Sequence, residues 1–146
     1  MKIFVFVKQV PDSAATLSVK DGKPDWGDAP LVINPWDEYA VEAALLLGEE
    51  HDAEVTAVSL GGEDAREALK HALAMGCGDA VLISDESLRG LDSAASARVL
   101  AAALQKAGDV DLAVFGKSAI DSDSATTPSM VARVMAWPSL KLVATV

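Results

Sequence analysis

A chain of 146 residues is the right size for one domain with its own core, and a hydrophobic share of 51% fits a packed globular protein. Its apolar runs are short and broken by charge, far from the ~20 residues of a membrane span, and its 22 acidic against 12 basic side chains, a formal charge of −10, disfavour nucleic acid and anionic lipid as partners. The single cysteine, Cys77, precludes an intrachain disulfide and fits a reducing compartment, hence a cytoplasmic location.

The organising pattern is alternation of short β-branched runs with amphipathic helical runs. A first strand is expected over 2–8; it is too short for a secretory signal, and no small-residue cleavage site follows it. Residues 9–33 form a long irregular segment rich in turn formers (Pro11, Asp12, Asp21-Gly22, Pro24, Gly27), with an edge strand or hairpin arm at 17–20. A segment of that length in a compact domain is usually functional or covers something.

The first helix should start at Asn34-Pro35, with Asn34 as cap, Pro35 in the first turn and Asp37 favoured there by the helix dipole. Val41, Ala44, Leu45 and Gly48 share its inner face, widened by Leu46 and Leu47, and it ends near Glu50. A second strand, 54–60, is broken by Gly61-Gly62 before a helix over 63–75, whose inner face is Ala65, Ala68, Leu69, Ala72 and Leu73 and whose stop is Gly76. There follow a strand over 80–84, a helix over 92–106 packed through Val99, Leu100, Ala103 and Leu104, a strand over 112–115, a polar loop, a helix to 136, and a strand over 140–145.

This βαβαβαβαβ order predicts an α/β fold, a doubly wound parallel five-stranded sheet in the order 3-2-1-4-5, as a single domain over 1–146. The order would place a topological switch between strands one and four, where open parallel sheets bind ligands outside their carboxyl ends. Residues 6–9, 60–62 and 116–127 should meet there, with the helix start at Asn34 closing over them.

The segment Gly116 to Pro128 is the most informative. It leaves a buried strand, enters a helix, and offers the hydroxyls of Ser122, Ser124, Thr126 and Thr127 with free N–H groups, a combination that binds phosphate without a lysine. The same residues would equally serve an ordinary capped loop. Asp121 and Asp123 would repel a phosphate if they faced it, so at least one should turn away, to cap amides or to meet ribose hydroxyls. Gly61-Gly62 lacks the spacing of a dinucleotide fingerprint or a P-loop; it reads as a strand-to-helix turn, or as a place where an adenine ring approaches the Leu60 backbone. His51 and His71 have no ligand-spaced partners, so no metal site is expected, and no nucleophile elbow occurs. Trp36 stands apart from Trp26 and Trp137 because it sits in a first helical turn facing the expected site.

Several separated motifs then coincide: the opening Lys2-Ile3-Phe4-Val5-Phe6-Val7-Lys8-Gln9-Val10-Pro11-Asp12, the run Asn34-Pro35-Trp36 with Ala40-Val41-Glu42-Ala43-Ala44, Ala72-Leu73-Ala74-Met75-Gly76, Gly116-Lys117-Ser118-Ala119-Ile120-Asp121, and Trp137-Pro138. As an ordered set spanning the chain they resemble the N-terminal part of electron-transfer flavoprotein β subunits, with Ser118 departing from the family's pattern and no glycine near Pro128 or Ser129. The resemblance implies an adenine nucleotide α-hydrolase-like fold and a heterodimer with an α subunit that carries most of the FAD. It implies a buried AMP in this subunit, or a second FAD in bifurcating members, and electrons received from dehydrogenases through the complex. Contacts carried over by motif are Phe6, Asn34, Leu60, Gly61, Asp121, Asp123, Ser124, Thr126 and Thr127, with Trp36 taking the place of an aromatic near the α-subunit flavin. The expected role is that of an electron-carrier subunit without bond-making of its own. The family's docking loop and embracing arm are expected to be absent from this chain, which then would not shuttle electrons alone. A universal-stress-like ATP-binding regulatory domain is the competing reading of the same sheet.

Overall fold

The computed structural model describes residues 1–144. At its centre lies a four-stranded parallel sheet built from β1 (Lys2–Phe6), β6 (Glu54–Leu60), β7 (Asp79–Ile83) and β8 (Leu112–Phe115), in the order β7-β6-β1-β8. The registers are regular: Ile3 faces Val55 and Leu112, and Phe6 faces Val58 and Phe115. This is the expected 3-2-1-4 part of the doubly wound order, with strands one and four side by side.

Alternation along β1 explains the layering. Ile3, Val5 and Val7 point to one face and pack against α1 (Pro35–His51) and α2 (Arg66–Met75). Phe4 and Phe6 point to the other and pack against α3 (Ser93–Ala107) and α4 (Thr127–Met135), through Ala97, Leu100, Ala101, Leu104 and Val131. A strand buried on both faces reads as a continuous apolar run, as Ile3 to Val7 does. Helix stops follow local chemistry: Gly76 takes φ 131° at the end of α2, and Asp92 caps α3 by accepting from Ala95 N at 2.7 Å.

The irregular segment resolves into two small antiparallel pairs. β3 (Ser18–Lys20) and β4 (Lys23–Asp25) make the hairpin expected near 17–20, turning through Asp21-Gly22. β2 (Gln9–Pro11) pairs with β5 (Leu31–Ile33), which brings the chain from the end of β1 back to the start of α1. This pairing was not legible from the sequence, because each strand is only three residues long.

Three expectations need correcting. Leu46 and Leu73 do not belong to the inner faces of their helices; they are 56% and 41% exposed, because each helix contacts the sheet through a narrower stripe. Residues 140–144 of the expected fifth strand pair with no strand: Leu142 has φ 53°, incompatible with extended backbone, and Leu140 and Leu142 are mostly exposed. Thr145 lies outside the described residues.

Candidate functional site

The carboxyl ends of β1, β6 and β8 open toward the N-terminus of α1 and the loop 116–126. Val7 N–H still donates to Val58 O at 2.9 Å, so β1 stays on the ladder until Lys8. There it diverges, and Asn34 N–H donates to Lys8 O at 2.8 Å, seating the start of α1 on the strand exit.

Asn34 is fully buried and does not cap α1 with its side chain. Its amide reaches across to the loop instead: Nδ2 donates to Ser118 O at 2.8 Å, and Oδ1 accepts from Ile120 N at 3.1 Å. The expected capping role is therefore corrected. A cap and a tether use the same amide, and the tether wins because it satisfies one buried and one partly buried loop group 84 and 86 positions away.

Asp37 is the second surprise. It is 6% exposed, and its Oδ2 accepts from Lys8 N at 2.8 Å. Burial pushes its carboxyl up to about 6 from an ordinary 3.8, while the amides of Lys8, Asn34 and Gly116 and the charge of Lys8 work the other way. The sequence did carry a signal: Asp37, Val41, Ala44 and Gly48 share one helical face, so an acid stood on an apolar stripe. Gly116 makes the approach possible. A Cβ there would collide with Asp37 Oδ1 and lie 2.7 Å from the carbonyl carbon and oxygen of Trp36.

Neither loop acid is left facing an open site alone. Asp121 is paired with Lys8, both carboxylate oxygens lying 2.7 Å from Nζ. Asp123 accepts from the buried Ser118 hydroxyl at 2.8 Å. Both therefore have side-chain partners, and neither caps a backbone amide among the described residues. Ser118, Lys8 and Asp37 are the site-building residues that pattern reading missed.

The far end of the loop is shaped differently. Asp123 and Ala125 sit at φ 47° and 46°, in the left-handed region that non-glycine residues rarely adopt. Thr126 follows at φ −98°, ψ −26°, and no side chain caps the start of α4, where Pro128 occupies the first turn. Left-handed followed by right-handed backbone turns successive N–H groups toward one point, an anion-binding shape. Ser124, Ala125 and Thr126 are exposed and Thr127 half-buried, with Ser124 Oγ 3.4 Å from Ser93 Oγ.

The remaining expected residues are placed in different ways. Leu60 and Gly61 are half-buried at the end of β6, with Gly61 N–H donating to Ile83 O at 3.1 Å. Phe6 is 5% exposed and stacks on Phe115, ring centroids 4.3 Å apart and planes within 5°, so it forms the floor beneath the strand ends. Trp36 is 40% exposed, with Lys117 Nζ 5.1 Å above its ring and Tyr39 beside it. Two surface hollows lie elsewhere. One of about 330 Å³ is at the opposite ends of the strands among Asp52, Glu54, Asp109 and Asp111, where acids disfavour an anion; one of about 280 Å³ lies between α3 and α4. No helix among the described residues is long and apolar enough to cross a membrane.

Comparison with known proteins agrees with this architecture. Residues 27–146 match the electron transfer flavoprotein domain. The chain is 38% identical to caffeyl-CoA reductase-Etf complex subunit CarD of Acetobacterium woodii, over 94% of this chain and 53% of that protein. It is 36% identical to the acryloyl-CoA reductase electron transfer subunit gamma of Anaerotignum propionicum, over 96% of this chain and 54% of that one. It is 37% identical to the electron transfer flavoprotein subunit beta of Bacillus subtilis, again over 96% and 54%. The chain thus spans about half the length of these relatives. On the family match and these likenesses together, the chain belongs to the electron transfer flavoprotein family, as a β-type subunit domain.

Proposed function

We propose that this domain binds AMP at the carboxyl ends of β1, β6 and β8, and that it supports an FAD-carrying α subunit which receives electrons from dehydrogenases in the cytoplasm. The observation that carries the reading is the parallel pairing of β1 with both β6 and β8. The chain order reverses between β1 and β8, and the crevice outside such a reversal is where open α/β sheets take ligands.

The residues present suit a nucleotide. Uncapped N–H groups at the start of α4, the left-then-right-handed turn at Ala125 and Thr126, and the hydroxyls of Ser124, Thr126 and Thr127 would hold the phosphate. The pairing of Asp121 with Lys8 and of Asp123 with Ser118 lowers the repulsion two free carboxylates would exert. Leu60 and Gly61 would meet the base, and Phe6 and Asn34 would act from behind as buried supports. Trp36 with Lys117 would face the α subunit, whose FAD supplies the one- and two-electron chemistry when bound. This chain's own part is to bind and to shape; it makes and breaks no bond.

The test is to saturate the purified chain with AMP, remove the excess, denature it and quantify the released nucleotide. One AMP per chain is expected. Release of neither AMP nor FAD after saturating supply of both overturns the reading. Relatives named for caffeyl-CoA and acryloyl-CoA reductase systems favour a second reading, an FAD of the chain's own in the same crevice as in bifurcating-type subunits. Visible flavin absorbance retained by this chain alone would select it.

A further inference from the structure

We propose that Asp37 is the positioning residue of the crevice: its carboxylate clasps the exits of β1 and β8 together through Lys8 and Gly116, and so fixes where the loop 116–126 stands. The inference deepens the nucleotide reading above and rests on it for its effect on binding.

Three observations converge. Asp37 accepts at 2.8 Å from the N–H of Lys8, two residues past the end of β1. Gly116, the first residue past β8, packs so closely on Asp37 and Trp36 that no side chain fits there. Asn34, one turn earlier on the same helix start, holds the middle of the loop through Ser118 and Ile120. The N-terminus of α1 thus grips the loop at its beginning and its middle. What it does not grip is the stretch from Ser124 to Thr127, which stays exposed or half-exposed for a ligand.

A carboxylate serves this purpose better than a neutral group. It accepts from several N–H donors at once, and charge-assisted bonds of this kind are the stronger ones. Its surroundings are defined: Lys8 on the β1 exit, committed to Asp121; Lys117, Asp121 and Asp123 on the loop; Glu38 next to it on α1, paired at 3.1 Å with His71 of α2. Losing the charge should release both strand exits together, because one carboxylate oxygen accepts from Lys8 N–H and the other lies against Gly116.

The experiment is an amide-resolved NMR titration of the whole chain from pH 5 to 8. The Lys8 and Gly116 amide resonances should shift with one common midpoint near pH 6, and the shift should vanish in Asp37→Asn. Separate midpoints, or no titration of these amides in the unmutated chain, overturn the clasp without any variant having to fold. AMP affinity is then measured at pH 7.5 for the unmutated chain, Asp37→Asn and Asp37→Glu. A loss of about tenfold in Asp37→Asn with partial recovery in Asp37→Glu is expected, and equal affinity in all three overturns the positioning role. If no form binds AMP, the nucleotide reading falls, and the amide titration alone decides whether Asp37 fixes the exits.

Discussion

An ionised acid buried beneath a helix start costs stability, and the cost at Asp37 has a sign that can be checked. The folded chain holds its proton up to about pH 6, whereas the unfolded chain releases it near 3.8. In that window the folded state binds more protons, so this group's contribution to stability is greatest below pH 4 and falls as pH rises toward 6. The full loss is about 3 kcal/mol. Urea unfolding at pH 4, 5, 6 and 7 should therefore show the Asp37→Asn variant gaining on the unmutated chain by roughly that amount across the window. A constant difference between the two would show that burial does not hold the proton. Asp37 was readable as an acid on an apolar stripe. Its partners were not: Lys8 is 29 positions away, and nothing in local pattern joins them.

At the scale of elements, the loop 116–126 is held by a helix start that belongs to another part of the chain. Asn34 supplies both an acceptor and a donor to loop backbone that has no ladder of its own. Truncating it in Asn34→Ala leaves the buried Ser118 O and the partly buried Ile120 N without this partner, at about 2–4 kcal/mol for the pair. The measurable outcome is a lower urea midpoint with unchanged slope, and faster amide exchange confined to the loop and the start of α4. A uniform increase in exchange across the sheet would contradict the tether. Strands and helices were legible here because periodicity is local: β6 and β8 fall where alternation and β-branching place them, and α1 starts at Asn34-Pro35 as expected. The use of Asn34 was not legible, since capping and tethering ask for the same side chain. The left-handed turns at Asp123 and Ala125 were also hidden, because alanine gives no sequence signal for positive φ.

Across the whole molecule, two cores lie on opposite faces of one sheet, built on the alternate residues of β1. The doubly wound order follows from that layering, and the sequence carried it because βα alternation, handedness and short connections leave few arrangements. The last strand was misjudged because three alternating apolar residues look like a strand whether or not the backbone is extended. That residues 140–144 stay off the ladder has a colloidal consequence. The far side of β8 has no strand beside it among the described residues, so a row of peptide groups stands ready to zip onto a like row from another molecule. Mutual repulsion at a formal charge of −10 opposes this, and salt weakens that repulsion. Light scattering of the purified chain should give a mass of 15.1 kDa in dilute low-salt buffer and a rising average mass as salt and protein concentration increase. A mass that ignores both would mean that the side of β8 is already covered.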